Sequence, residues 1–167
     1  TTPFRSTRIP GLGHENVITR LTPNSTQAIR VDDQGKETLV GEMGRQKDLS
    51  RGRPVVLLID GGSASASEVV SGALLDNNRV TAVGTKSYGK GIGQSMLPFA
   101  GRTMLRITSF RFYSPKGSWA GDAHKNRHGF DPHHVVEPGD GFEALSDSDN
   151  QLHFGIDLLN KIHRLFI

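Results

Sequence analysis

Five apolar residues in a row, Val55 to Ile59, stand out from a chain whose apolar positions are otherwise interspersed with polar ones. Such a short run between polar flanks predicts a buried strand and is far too brief to cross a membrane. A polar stretch follows, and Glu68 to Leu75 then reads as a helix. Thr103 to Tyr113 alternates, with Met104, Leu105, Ile107, Phe110 and Phe112 as its apolar members, and predicts a second strand entering the turn Ser114-Pro115-Lys116-Gly117. Upstream, Val17, Ile18 and Leu21, then Ala28, Ile29 and Val31, flank Pro23-Asn24-Ser25 and predict two short strands. Leu152, Ile156, Leu159 and Ile162 give residues 151–165 the stripe of an amphipathic closing helix. Residues 1–13 read as irregular, 32–53 as a polar loop and 138–150 as a Gly/Asp/Ser loop.

Composition narrows the class without naming an activity. At 167 residues, with 35% hydrophobic and 22% charged content, the chain suits one soluble domain with an ordinary core. The net charge of +3 comes from scattered lysines and arginines. A modest cluster, Arg45, Lys47, Arg51 and Arg53, reads as a solvated loop, and a nucleic-acid partner is not expected. Zero cysteines exclude a disulfide framework and thiolate chemistry. His124 and His128 have helical i,i+4 spacing, but Gly129 and Pro132 interrupt a helix there and no Cys or Glu joins them, so no metal is expected. The start at Thr-Thr-Pro, without Met or signal peptide, reads as a processed product or a piece of a longer protein.

The chemistry lies between the apolar strand and the helix. Ser63, Ser65 and Ser67 occupy that junction at alternate positions. A hydroxyl there points at the first free N–H groups of the helix, where the dipole favours negative charge. An oxyanion developing beside a serine nucleophile needs that environment. Ser-x-x-Glu at Ser65 and Glu68 is equally a capping box, with Ser65 as N-cap and Glu68 structural, and both readings can hold together. Physics alone does not separate the three serines. Lys90, between Gly89 and Gly91, is either an exposed turn residue or a base. As a base it must be neutral, and burial can lower a lysine from about 10.4 by up to ~3–5 units. Gly84 to Lys90 also matches the start of a phosphate-binding loop, but Gly91-Ile92-Gly93 is a poor helix start, so the match is chance. The Gly-x-Ser-x-Gly pattern of a nucleophile elbow is absent around all three serines.

Ser63-Ala64-Ser65-Ala66-Ser67-Glu68, Gly72-Ala73-Leu74, Asp76-Asn77, Val83-Gly84, Tyr88-Gly89-Lys90-Gly91 and Gln94 follow one another in the order seen in a known family. Leu105-Arg106-Ile107-Thr108 and Phe112 to Gly117 continue the match. On these motifs, residues 40–138 resemble the catalytic core of the C-terminal processing peptidases, tail-specific serine proteases with a Ser–Lys dyad. The resemblance implies an α/β fold of the ClpP/crotonase-like type, with a mixed sheet and packed helices, incomplete on its N-terminal side. It implies three stretches: N-terminal strands and loop (1–53), catalytic core (54–138), and loop with closing helix (139–167). It selects Ser65 as nucleophile, Lys90 as base and Gln94 as the orienter of its amine, with the Ala66 N–H as one oxyanion donor and no cofactor. The implied partners are a protein or peptide substrate and an upstream segment carrying a PDZ domain. The implied location is periplasmic or extracytoplasmic. An inactive scaffold or peptide-binding domain on the same fold is the alternative. Two departures stand out. The family's Asp-x-Arg-x-Asn-x-Gly-Gly strand, which supplies the second oxyanion donor, is not visible in residues 1–53. Where the family has Gly-Ile-x-Pro-Asp, this chain has Gly129-Phe130-Asp131-Pro132-His133, with His133 in place of the acid.

Overall fold

The computed structural model describes residues 28–40 and 50–164. The expected strand around Val17 to Leu21 and the turn at Pro23 lie outside them. Two sheets frame the described part. The first has the order β2-β1-β6-β5, all antiparallel, from β1 (Ala28–Asp32), β2 (Glu37–Val40), β5 (Ile92–Pro98) and β6 (Met104–Tyr113). The second is parallel, in the order β3-β4-β7, from β3 (Val56–Ile59), β4 (Thr81–Gly84) and β7 (His134–Val135). This mixed α/β architecture is the class expected from the sequence.

Parallel strands need a crossover, and the helix α1 (Ala66–Asp76) supplies it between β3 and β4. Period-2 alternation in β3 sends Leu57 and Ile59 toward α1, where they pack with Val70, Ala73, Leu74, Val80 and Ala82 as the core. Val56 and Leu58 point the other way and meet Gly155 of the closing helix α2 (Asn150–Arg164). The parallel sheet is therefore covered on both faces, which explains its continuously apolar sequence. α1 also touches β1 and β6, so it is the shared wall between the two sheets.

Three expectations need correction. Residues 32–53 are not all loop, because β2 lies within them. Asp32 Oδ1 accepts the N–H groups of Gln34 and Lys36, at 3.0 and 2.8 Å, and folds the chain back for Thr38-Leu39-Val40 to pair with β1. The stripe read on α2 is also rotated: Gln151 and Gly155 are its buried members, whereas Ile156 is 43% exposed. Finally, the alternation of β6 does not bury its first half. β1 pairs only with Phe110 to Tyr113, so Met104, Leu105 and Ile107 extend beyond it on a two-stranded ribbon with β5 and stay exposed.

Candidate active site

The three serines have different fates. Ser63 is buried and tied locally: its hydroxyl donates to Asp60 Oδ1 and accepts the Asp60 N–H, both at 3.1 Å. Ser67 lies in the first helical turn, and its carbonyl accepts the Ser71 hydroxyl at 2.8 Å. Ser65 is the N-cap of α1 and adopts φ 57°, ψ −116°. A positive φ is costly for a residue with a Cβ and persists only where the surroundings impose it. A serine held this way between strand and helix has the backbone of a nucleophile elbow, here half-buried and without the flanking glycines that usually announce one. The N–H of the next residue, Ala66, has no hydrogen-bond partner among the described residues.

Glu68 imposes that backbone. It is 2% exposed, and four donors converge on its carboxylate. Oε2 accepts the Ser65 N–H at 3.0 Å and the Lys90 N–H at 2.7 Å. Oε1 accepts the Ser87 hydroxyl at 2.7 Å and the Gly89 N–H at 2.6 Å. The sequence marks Glu68 as a helix-capping residue, and it does accept the N-cap N–H. It also fastens the serine turn to the lysine turn, a role that sequence spacing does not display. Tyr88 adds a second tie, its N–H donating to the Ser63 carbonyl at 2.9 Å.

The glycines around Lys90 have distinct duties. Gly89 has φ 95°, and a Cβ there would lie 2.7 Å from the Arg127 Cα. At Gly91 a Cβ would lie 2.8 Å from the Trp119 ring, whose Nε1–H donates to the Gly91 carbonyl at 2.9 Å. Held between these contacts, Lys90 lines the same cavity as Ser65 and Glu68, with Val69, Phe112, Ala120 and Phe130 as its apolar wall. Lys90 is half-buried and has no carboxylate partner within salt-bridge distance among the described residues. Gln94 does not line this cavity. It is exposed on β5, just past an irregularity in the pairing with β6. His133, in the family's acidic position, accepts the Ala82 N–H at its Nδ1 at 2.9 Å and donates its own N–H to the Ala82 carbonyl at 2.9 Å. The imidazole thus satisfies a β4 donor beside the strand that leads to the lysine turn. His124 and His128 stand in an exposed loop, and no cluster of metal-ligating side chains occurs among the described residues.

Comparison with known proteins bears on the family and the fold. The family model described as "Peptidase family S41" matches residues 13–136. The chain is 40% identical over 114 residues to a carboxy-terminal-processing protease of Bartonella bacilliformis, covering 59% of this chain and 26% of that protein. It is 37% identical over 139 residues to a carboxyl-terminal-processing protease of Synechocystis, covering 82% of this chain and 31% of the relative. Among solved structures, the photosystem II D1 C-terminal processing protease superposes with a TM-score of 0.65 at 29% identity, over 75% of this chain and 31% of that one. The chain thus spans under a third of the length of these relatives.

Proposed function

Because the chain belongs to peptidase family S41, we propose that it carries the Ser–Lys catalytic core of a serine endopeptidase acting near protein C-termini. One observation carries the reading: Ser65, held at positive φ on the start of α1, lines a cavity together with Lys90. Ser65 Oγ bonds to the scissile carbonyl carbon while its proton passes to the Lys90 amine. The oxyanion faces the Ala66 N–H and the positive end of α1. Collapse breaks the C–N bond, and Lys90 returns the proton to the leaving amine. Water then attacks the acyl-Ser65 ester, giving a proton to Lys90, and Ser65 Oγ recovers it on release of the acid. The resemblance also gives Gln94 the role of orienting the lysine, although here it is exposed on β5 and outside the cavity. A protein or peptide is the substrate, a PDZ-bearing segment the partner and an extracytoplasmic compartment the place of action. These last elements rest on the resemblance of the motifs.

The test is hydrolysis of an unstructured peptide. Ser65→Ala is expected to lower turnover by at least about 10⁴-fold, with Ser63→Ala and Ser67→Ala retaining it. Arginine cannot serve as a base, so Lys90→Arg should be as inactive as Lys90→Ala. Activity retained in Lys90→Arg would overturn the base assignment. A wild-type chain that binds peptide without cutting it would favour the scaffold reading.

A further inference from the structure

A groove on the other side of the Lys90–Ile92 segment is built differently from the catalytic cavity. Its floor is Ile92 and the Trp119 ring, and Thr108, Arg111, His124 and Asn126 supply polar groups along it. Arg111 and Phe112 are neighbours on β6 and point to opposite faces: Phe112 lines the catalytic cavity and Arg111 the groove. The Arg111 guanidinium lies over the Trp119 ring, 4.7 Å from its centroid. Trp119 is itself pinned to Gly91 by its indole N–H, so the cation is held in place before any ligand arrives.

Arg111 has no carboxylate within salt-bridge distance among the described residues. The one acid lining the groove, Asp122, is occupied with its own loop. Its Oδ1 accepts the N–H groups of His124 and Asn126 at 2.8 and 3.0 Å, and its Oδ2 the Asn126 side-chain amide at 2.8 Å. What remains is a pre-oriented guanidinium and a hydroxyl above an apolar floor. That combination matches a carboxylate attached to an apolar residue, with the planar fork of arginine suited to both oxygens.

We infer that this groove is a carboxylate-binding subsite for peptides, engaging either a free C-terminus or an acidic side chain next to an apolar residue. That the ligand is a peptide rests on the peptidase reading; the carboxylate chemistry rests on the groove alone. A peptide passing over the Lys90–Ile92 segment would have its carboxylate in the groove and its neighbouring backbone beside Ser65. The subsite thereby favours ends and acidic positions a few residues from the bond cut.

Trp119 is the single tryptophan of the chain, so its emission reports on the groove directly. The Ser65→Ala chain, which cannot turn over a substrate, is titrated with three hexapeptides ending in leucine. One has a free C-terminal acid, one is its amide, and one is the amide with a penultimate glutamate. The free acid should shift Trp119 emission saturably and bind at least about tenfold more tightly than the amide. Arg111→Gln should abolish that preference, and Arg111→Lys should retain part of it. A response to the glutamate amide as well assigns the subsite to any carboxylate; a response to the free acid alone assigns it to chain ends. Equal binding of acid and neutral amide, or an unchanged preference in a folded Arg111→Gln chain, overturns the inference. Should Arg111→Gln fail to fold by circular dichroism, Arg111→Met, which keeps an apolar stem against Trp119 and removes the charge, gives the same comparison. The readout is independent of hydrolysis, so a wild-type chain that cuts no peptide while the Trp119 response and its Arg111 dependence persist counts against the Ser–Lys reading and leaves the subsite standing.

Discussion

The serine–lysine corner and the outer half of the β5–β6 ribbon solve the burial problem in opposite ways. At the corner, a carboxylate is sunk to 2% exposure and every one of its acceptor directions is used by a nearby donor. On the ribbon, Met96, Leu97, Phe99, Met104, Leu105 and Ile107 are 43–63% exposed on a hairpin that no third strand supports among the described residues. The corner is closed upon itself, and its geometry follows from contacts among residues 60–91 and the loop that packs on them. Leu97, Leu105 and Ile107 share one face of the ribbon, with Met96 and Met104 on the other, and exposed apolar faces of this kind ordinarily meet a partner. Among the described residues its β5 edge is also unpaired and, from Ile92 to Pro98, without a charge to discourage pairing. A tightly bonded polar corner stands at one end of β5, and an exposed apolar ribbon at the other.

The sharpest way to break this comparison is Glu68→Gln. The substitution keeps the volume and replaces one acceptor oxygen by a donor, so at least two of the four buried donors lose their partner. At about 1–3 kcal/mol for each unsatisfied group, the loss is a large part of a domain's stability. Denaturant unfolding should show it, and peptide turnover should fall in parallel as the Ser65 and Lys90 turns separate. Glu68→Gln with wild-type stability would mean that the corner does not depend on this carboxylate.

What could be read from the sequence follows the same division. The apolar run at Val55 to Ile59, the polar turn and the helix from Ala66 are local features, and their periods announce them. The role of Glu68 is not local. Three of its four donors, on Ser87, Gly89 and Lys90, lie 19–22 positions away, and two of those are backbone N–H groups that carry no sequence signature. Ser65 could not be separated from Ser63 by pattern, because only the fold reveals that Asp60 occupies the Ser63 hydroxyl. β2 was hidden because Asp32-Asp33-Gln34-Gly35 looks like the start of a loop, although it is the turn of a hairpin. The ribbon misleads for a different reason. Alternation at Met104 to Phe112 reports a pleated strand correctly, but not whether anything covers its apolar face.

A second test approaches from the ribbon. Leu97→Ser combined with Ile107→Ser removes two apolar side chains that are 47% and 43% exposed. Each side chain is only partly covered, so unfolding free energy should change by about 1 kcal/mol for the pair, well below the loss expected for Glu68→Gln. Self-association should change much more: the wild-type chain is expected to form concentration-dependent oligomers in light scattering, and the double variant to shift toward monomer. A wild-type chain that stays monomeric at every concentration would remove the ribbon's side of the comparison. A double variant as destabilised as Glu68→Gln would show that the ribbon is structural after all.

The smallest expected effect lies at Asp122, which pairs with Lys90 across an isolated bridge and so joins the corner to the groove loop. Its carboxyl is held below the ordinary value of 3.8, first by the hydrogen bond from the Asn126 N–H and then by that from the His124 N–H. A folded-state value below the unfolded one means that the ionised form stabilises the loop. That contribution is fully present above the unfolded value and fades as pH falls through the lower, folded one. The carboxylate sits near the surface and bonds only within its own loop, so the effect belongs to the loop and not to the stability of the whole domain. Carboxyl-carbon NMR should find Asp122 titrating below 3.8, with the amide signals of His124 and Asn126 moving along the same curve. Asn126→Ala removes only the side-chain amide and leaves the two backbone donors, so the depression should shrink without vanishing. Titration at or above the ordinary value would show that Asp122 is not committed to its loop. Its charge would then be free to face Arg111, and the groove would lose the uncompensated cation on which carboxylate binding depends.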